Sequence, residues 1–330
     1  MLGEKASDHY CEVTELTLSH VALGGLTEAA AMDLVGNAHC HRLTAGTGHS
    51  IGGIVDDAGR VVYPGYYYTK LDVPSQRPLG LHRVWDRIAV EIDVRRYGAL
   101  LLASRATLCG ERDDAGADRA TLLACNSFYV DRPGREKEAI TPRPGTVAAL
   151  PPLKDAPWAH EVGGVPRMFL DSQARGSIDP AFEANVAHAA SARYTPRFGH
   201  DMPWGEHIAF SRYASILAAL ERDYLHSAGD AFPAEASAWC ETLRRETLYC
   251  ASIAEESPLV ARVRMRVVPD STRAAPPERE LAAELESVID VRRESDDALV
   301  VSAKAIRVIA VPRGSRDMRE RLLRWCAAVC

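Results

Sequence analysis

The spacing of apolar residues predicts one helix followed by strands in the first half of the chain. Residues 27–41 carry an apolar stripe at helical spacing, and Thr27 at their start can cap the helix. Strands are predicted after this helix at 61–73, 88–94, 99–108 and 121–130. These segments either alternate apolar and polar residues or are rich in β-branched and aromatic residues. The first half therefore reads as a lone helix with antiparallel strands.

The same order recurs in the second half. Apolar residues from Phe210 to Tyr224 mark one face of a predicted helix at 206–225. Strands are predicted after it at 247–253, 259–267, 285–291 and 299–311, and a closing helix at 318–329. A parallel, doubly wound sheet would need strands and helices in alternation, so we predict an α+β fold.

The composition changes between the two halves. Residues 133–180 are rich in proline and charge, which is typical of an interdomain linker or crossover. We therefore predict one unit at 1–132, a linker or crossover at 133–180 and a second unit at 181–330.

Composition and charge narrow the classes of function. The formal net charge of −6 disfavours nucleic acid as a partner, because phosphate binding needs concentrated Lys and Arg. No apolar run reaches the roughly 18 residues of a membrane span, and the polar start MLGEKASDHYCE does not resemble a secretory signal. Eight widely spaced cysteines with no CxxC pair predict reduced thiols, no metal and a cytoplasmic location.

The densest group of candidate site residues runs from His20 into the first helix. Gly24 and Gly25 precede the helix start, where backbone amides including that of Leu26 can hold a thioester carbonyl or its enolate oxygen. The alternative is a turn that needs glycine only for its backbone conformation. GxGxxG, GxxxxGK[ST] and HExxH motifs do not occur in the sequence.

Four further residues are candidates with a structural alternative. His39 and His41 are two residues apart and face different directions on a helix, so they cannot form an i,i+4 metal pair and are expected to pack or face solvent. Asp201 and His207, just before the second helix, can serve as acid or base or as helix-capping residues.

A tyrosine cluster lies at the start of the first long strand. In a regular strand Tyr63 and Tyr67 share one face and Tyr66 and Tyr68 the other, but a bulge suggested by Pro64 would break that register. A phenol with the ordinary pKa of about 10 needs a nearby base, positive charge or amide donors to become a nucleophile. Without such help these tyrosines are aromatic lining of a sheet.

Three segments together resemble a known family: HVALGGLTE, GNAHCH and DDAGRVVYPGYYYTKLDV. They are similar to the first unit of the leinamycin-pathway bifunctional acyltransferase/decarboxylase family of polyketide biosynthesis. The positions that fall on the family pattern are His20, Gly24, Gly25, Leu26, Glu28, Gly36, Asn37, His39, Gly59 and Tyr63. The match covers about the first hundred residues in motif and the rest in layout only.

The resemblance implies a double hot-dog fold, in which each unit is a long helix wrapped by an antiparallel sheet. It implies an acyltransferase that takes methylmalonyl-CoA, decarboxylates it through a tyrosine ester and delivers the acyl group to an acyl carrier protein. The nucleophile would be Tyr63, with Tyr67 close enough to be considered, and no cofactor besides the coenzyme A thioester substrate is expected. Cys40 and the segment MPWGEH depart from the family pattern.

Two alternatives remain open. A hot-dog dehydratase or thioesterase would use a histidine and a carboxylate such as His20 and Asp201 as acid and base. A non-catalytic docking module for an acyl carrier protein would bind without turnover, with arginines at 262, 264 and 266 meeting an acidic partner or simply facing solvent. Either a monomer or a homodimer is compatible with two units in one chain.

Overall fold

The computed structural model describes most of the chain. The described residues are 9–22, 25–45, 55, 59–60, 62–98, 101–111, 113, 118–130, 138–139, 150–184, 191–196, 209–227, 232–251, 257–268 and 271–329.

The described first half holds eight strands and one long helix. They are β1 (His9–Glu15), β2 (Val21–Ala22), β3 (Gly25–Leu26), α1 (Glu28–Thr44), β4 (Tyr63–Asp72), β5 (Arg87–Tyr97), β6 (Leu101–Gly110), β7 (Ala120–Val130) and β8 (Glu138–Ala139). A connecting helix, α2 (Val165–Arg175), follows. The described second half holds β9 (Ser191–Tyr194), α3 (Phe210–Ser227), β10 (Cys240–Tyr249), β11 (Leu259–Val268), β12 (Arg279–Arg293), β13 (Leu299–Pro312) and α4 (Arg316–Val329).

Within the described residues the long strands form one antiparallel sheet. Its order is β1-β5-β6-β7-β4-β10-β13-β12-β11-β9, with β8 attached to β7. The order of the first five strands is repeated in reverse by the second five, so that β4 and β10 meet in the middle of the sheet. The prediction of an α+β fold with antiparallel strands is confirmed.

The first helix begins where the sequence predicts and ends later. The hydroxyl of Thr27 accepts a hydrogen bond from the amide of Ala30 at 3.1 Å, which confirms the predicted cap. The helix continues through Gly36 to Thr44. Because Gly36 has no side chain, the ring of Phe210 can approach the helix closely there. A Cβ at Gly36 would lie 2.9 Å from the Phe210 ring.

The alternating strands place their apolar residues as predicted. Every second residue of β5 from Ile88 to Val94 is buried, as is every second residue of β11 from Leu259 to Val267. One core lies between α1 and the first-half strands, and another between α3, α4 and the second-half strands.

Two predicted boundaries are corrected by the structure. The strand predicted at 247–253 is β10, which begins at Cys240 and ends at Tyr249. Its early part was missed because a bulge between Thr242 and Arg244 breaks the alternation. The edge strands β1 and β9 were also missed, since each pairs on one side only and β1 is largely polar.

The described part of the predicted linker is a folded cover rather than a spacer. Leu153, Trp158 and Val165 pack with Tyr68 and Leu248 against the face of the sheet that lies opposite the long helices. The indole of this tryptophan donates a hydrogen bond to Asp93 at 3.0 Å. The apolar residues among the prolines and charges of 150–170 therefore bury the central strands from outside.

We predict that Gly25→Ala destabilises the fold by about 1–3 kcal/mol, because a Cβ there would lie 2.4 Å from the carbonyl oxygen of Gly80 and neither backbone segment can yield easily. Gly164→Ala is the matched control, since its Cβ would meet nothing within 4 Å and its φ of −88° suits alanine. Urea unfolding of both variants measures the difference. Equal stability of the two variants would contradict this packing argument.

Candidate functional site

The two long helices meet beneath the central strands. Strands β4 and β10 pair from Tyr68 opposite Leu248 to Asp72 opposite Arg244, with Thr69 opposite Thr247. Because Tyr68 and Leu248 face the outer cover, the two threonines face α1 and α3 on the other side. Two polar clusters lie on this helix-facing side, one around Arg245 within the paired segment and the other around Tyr66 beyond its end.

The first cluster is a network of buried ion pairs. The guanidinium of Arg245 on β10, which is 2% exposed, donates from Nε to Glu28 at 2.7 Å and from a terminal nitrogen to Glu221 at 2.8 Å. Glu221 on α3 is fully buried and also accepts from Arg307 at 3.1 Å and from the hydroxyl of Ser287. Its carboxylate oxygens are thus fully engaged by the protein.

The electrostatics of this network fix its charges. Burial alone would raise the pKa of Glu221, but the guanidinium groups of Arg245 and Arg307 outweigh that effect and hold the pKa below its ordinary value. A carboxylate kept ionised and fully hydrogen-bonded is a poor proton acceptor. We therefore interpret this cluster as structural.

The second cluster is built from neutral polar groups. His39 on α1 and Asn126 on β7 are both fully buried, and the Nε2 atom of His39 lies 3.4 Å from Nδ2 of Asn126. Tyr66 on β4 lies opposite Asn126 in the strand register, and its ring centroid is 5.8 Å from that of His39 and 4.1 Å from that of Phe210. Ser211 follows in the first turn of α3 and is fully buried.

Four buried polar atoms in and beside this second cluster lack a hydrogen-bond partner in the described part of the chain. They are Nδ1 of His39, Oη of Tyr66, Oδ1 of Asn126 and Oγ of Ser211. A buried polar atom without a partner costs about 1–3 kcal/mol, so several close together indicate a place where a ligand or reacting water supplies the missing bonds. We define His39, Tyr66 and Asn126 as the His39 cluster.

Burial keeps the groups of the His39 cluster neutral. It lowers the pKa of His39 to about 4. It also raises the pKa of Tyr66 well above the ordinary value, with Cys40 and Tyr249 adding to the effect. At neutral pH the imidazole is therefore unprotonated and the phenol keeps its proton as a hydrogen-bond donor.

The two clusters occupy equivalent places in the sheet. Counting from the paired Thr69 and Thr247 toward the start of each strand, the next side chain that faces the helices is Tyr66 on β4 and Arg245 on β10. His39 on α1 then corresponds to Glu221 on α3. One place is filled by ion pairs and the other keeps unpartnered polar atoms, so the His39 cluster is the candidate reaction centre.

The predicted tyrosines separate between the faces of β4. The register shifts between Tyr66 and Tyr68, so the bulge lies at Tyr67 and not at Pro64. Tyr67 turns to the outer side, where its ring packs edge-on against Phe169 at 5.8 Å, and burial raises its pKa above the ordinary value. The bulge therefore separates Tyr66, which faces the helices beside Asn126, from Tyr68, which packs in the outer cover, although a regular strand would place both on one face.

The role of Tyr63 as a nucleophile stays a prediction. Its backbone lies in β4 opposite Tyr129, and its side chain is outside the described part of the structure.

The residues predicted before α1 are engaged by their own chain. The Nδ1 atom of His20 accepts a hydrogen bond from the amide of Thr17 at 2.9 Å. The amide of Leu26 donates to the carbonyl of His82 at 2.9 Å, so it is not free to hold a substrate oxygen. Gly25 allows the close approach of Gly80 rather than a left-handed backbone turn.

The remaining predicted residues that the structure describes, Asn37 and His41, are exposed and do not join the His39 cluster. Asn37 lies between the buried Gly36 and Ala38 and faces away from the core. Gly24, Asp201 and His207 lie outside the described residues, and their roles stay predictions. His41 is surface-exposed and pairs with Glu12 at 2.7 Å.

The arginines of β11 are partly committed to internal pairs. Arg264 donates to Asp290 at 3.0 Å and to the hydroxyl of Ser177 at 2.8 Å, and Arg266 pairs with Glu286. These contacts favour the interpretation of a paired strand face over that of a surface reserved for a partner.

Several residues of the two clusters were missed from the sequence. Asn126 is a polar residue inside the apolar strand ATLLACNSFYV, and Glu221 interrupts the apolar face of α3. Buried polar residues at such positions are the signal that could have found them. The pairing of Arg245 with both glutamates depends on contacts between distant parts of the chain and left no local signal.

No group of three or more His, Cys, Asp or Glu side chains among the described residues is arranged to hold a metal ion. None of the described helices is both long enough and apolar enough to cross a membrane.

Comparison with solved structures identifies the architecture. The chain is similar to an acyl-ACP thioesterase from Bacteroides thetaiotaomicron, with a TM-score of 0.55 and 13% identity over 92% of this chain and 100% of that chain. It is also similar to the 12:0-ACP thioesterase from Umbellularia californica, with a TM-score of 0.56 and 14% identity over 91% of this chain and 94% of that one. The chain has an α+β hot-dog fold. No family model and no curated protein matches the sequence.

At these identities the likeness shows the hot-dog fold alone. The resemblance to the leinamycin-pathway acyltransferase/decarboxylase family therefore stays a prediction.

We predict that the buried imidazole makes the fold acid-sensitive. The pKa of His39 is about 4 in the folded chain against an ordinary value of 6.5, so only the unfolded chain is protonated there between these values. Burial of His39 therefore does not lower the free energy of unfolding above about pH 6.5. As the pH falls toward 4, it lowers that free energy by about 3 kcal/mol in total.

Urea unfolding of the wild type and of His39→Gln at about pH 7 and about pH 4 measures this term. The loss of stability on acidification should be smaller in the variant by about 3 kcal/mol. An equal loss in both proteins would show that His39 is protonated without cost.

We predict that Glu221→Gln destabilises the fold by about 3–5 kcal/mol, because it leaves Arg245 and Arg307 buried with one charge partner fewer. Glu286→Gln, which removes the partly exposed partner of Arg266, is the control and should cost less than about 1 kcal/mol. Denaturant unfolding compares the two. A cost for Glu221→Gln no larger than that of the control would overturn the structural role of the network.

Proposed function

We propose that the chain is a hydrolase of acyl thioesters carried by coenzyme A or an acyl carrier protein, with the His39 cluster as its reaction centre. The observation that carries this proposal is the set of buried, unpartnered polar atoms on His39, Tyr66 and Asn126 beneath the central strands. The hot-dog fold shared with acyl-ACP thioesterases supports the choice of substrate.

The proposed chemistry assigns one task to each side chain. The phenol of Tyr66 donates a hydrogen bond to the thioester carbonyl oxygen and stabilises the negative charge that develops there. Asn126 holds the ring of His39, with its carboxamide turned so that Oδ1 accepts from Nε2–H and Nδ1 carries the lone pair. Nδ1 then accepts a proton from the attacking water.

The bonds balance without a further reactant. The water oxygen forms a bond to the carbonyl carbon, the carbon–sulfur bond breaks, and the proton held by His39 passes to the leaving thiolate. The products are a carboxylic acid and a thiol.

The pKa of His39 sets a limit on this mechanism. Transfer of a proton to a group with a pKa of about 4 is uphill by about 4 kcal/mol at pH 7. The oxyanion that forms beside Tyr66 offsets part of that cost, since a negative charge nearby favours the imidazolium. Proton transfer and attack are therefore expected to be concerted.

Hydrolysis fits the described tyrosines better than a tyrosine ester does. Burial raises the pKa of both Tyr66 and Tyr67, whereas a nucleophilic phenol needs a lowered pKa or an adjacent base. Decarboxylating acyl transfer through Tyr63 remains the second candidate, because the sequence motifs that resemble the acyltransferase/decarboxylase family include that residue.

We also propose that the chain is a double hot-dog, with units at 1–132 and 181–330 joined by the crossover at 133–180. The reversed repeat of strand order about β4 and β10 supports this division. Such a chain supplies both α1 and α3 itself, so one copy holds a complete reaction centre whether it is a monomer or a homodimer.

We predict that Tyr66→Phe lowers kcat for thioester hydrolysis by about 100-fold, as expected for loss of one donor to the oxyanion. Tyr68→Phe is the matched control, because that phenol lies on the outer face of the sheet, and it should keep nearly full activity. Thiol release from butyryl-CoA and from a butyryl-loaded carrier protein measures the rates.

Intact mass spectrometry with malonyl-CoA and methylmalonyl-CoA, with Tyr63→Phe beside the wild type, separates the two candidate reactions. Hydrolysis predicts thiol release with no lasting mass gain on the protein. An acyl adduct on the wild type that is absent from Tyr63→Phe would replace the hydrolase with the decarboxylating acyltransferase. Carrier binding without turnover of any thioester would indicate a docking module.

A further inference from the structure

Phe210 is the apolar wall of the His39 cluster. It is the first residue of α3, and its ring packs on Tyr66 with the centroids 4.1 Å apart and the planes tilted by 30°. Its edge also meets α1 at Gly36, where a Cβ would come within 2.9 Å. The ring therefore fills the space where β4, α1 and the start of α3 converge.

The equivalent position in the other cluster is occupied by a charged residue. Glu28 is the first residue of α1, as Phe210 is the first residue of α3, and each reaches across to the central strand of the other half. Glu28 bonds Arg245 there, whereas Phe210 contacts Tyr66 without a hydrogen bond. Because the Phe210 ring is held only by packing, its removal leaves no buried charge without a partner.

We propose that Phe210 determines substrate specificity by restricting the enzyme to thioesters of short acyl chains. This inference rests on the proposed function. With the carbonyl oxygen at Tyr66, the first carbons of the acyl chain lie beside the rings that contact Tyr66. The Phe210 ring blocks the path of a longer chain between α1 and α3.

Gly36 is the second part of this wall. Because Gly36 has no side chain, the Phe210 ring can pack directly against α1. The ring therefore stays over Tyr66 and is not displaced from it. Shortening residue 210 opens apolar space of the kind that binds small apolar molecules in other proteins. That space adjoins Tyr66 and can take the added carbons of a longer chain.

The test compares Phe210→Ala and Phe210→Leu with the wild type on acetyl-, butyryl-, octanoyl- and decanoyl-CoA. We expect the ratio of kcat/KM for octanoyl-CoA to that for butyryl-CoA to rise by at least about 10-fold in Phe210→Ala, and by less in Phe210→Leu. Phe169→Ala is the matched control, because that ring packs on Tyr67 on the outer side of the sheet. Its ratio should not change.

Binding gives a second readout that does not need turnover. Calorimetry with acyl-CoA analogues in which CH₂ replaces the thioester sulfur should show octanoyl binding improved about 10-fold in Phe210→Ala, again with no change in Phe169→Ala. An unchanged preference in both Phe210 variants, with their thermal unfolding showing a folded protein, would overturn the proposal.

Failure of the proposed function gives a different result. If the wild type turns over none of the four thioesters but the Phe210 variants still shift the binding preference, the role of Phe210 in specificity is supported and the proposed hydrolysis is wrong. If the preference shifts equally in Phe169→Ala, the effect is general loosening and the role of Phe210 is overturned.

Discussion

The fold depends on one buried guanidinium group at the junction of the two halves. Arg245 leaves the central strand β10 and binds Glu28 at the start of α1 and Glu221 in the middle of α3. Both helices are thus fixed to the same strand by charge-assisted hydrogen bonds that have strict geometry. Since a buried charge without its partners is costly, these bonds favour one position of both helices over the sheet.

The same geometry explains why the ion-pair network and the His39 cluster differ. In the ion-pair network the carboxylates are paired with Arg245 and Arg307, and the pKa of Glu221 is held below its ordinary value. At the His39 cluster, His39 and Asn126 are fully buried, and the hydroxyl oxygen of Tyr66 is buried as well, without countercharges, which favours the neutral forms of the imidazole and the phenol. Neutral donors and acceptors with unmet hydrogen bonds suit a polar but uncharged group such as a thioester carbonyl, which a filled ion-pair network cannot receive.

Much of the fold was predictable because its signals are local. The apolar stripe of α1, the cap at Thr27 and the alternation in β5 and β11 each follow from neighbouring residues. The site was less predictable because its members come from distant segments. His39 was predicted both as a candidate site residue and, alternatively, as a packing or surface histidine. The bulge that puts Tyr66 and Tyr68 on opposite faces and the pairing of Tyr66 with Asn126 arise from strand register. Register is set by the whole sheet, which no short motif encodes.

The central claim is that the thioester carbonyl binds at the His39 cluster. The most direct test is a crystal structure of the chain with a butyryl-CoA analogue in which CH₂ replaces the thioester sulfur and the carbonyl is kept. The account predicts the carbonyl oxygen within hydrogen-bond distance of Oη of Tyr66, with the ring of His39 beside the carbonyl carbon. A carbonyl bound instead beside Glu221 and Arg245, or on the outer face of the sheet, would contradict it.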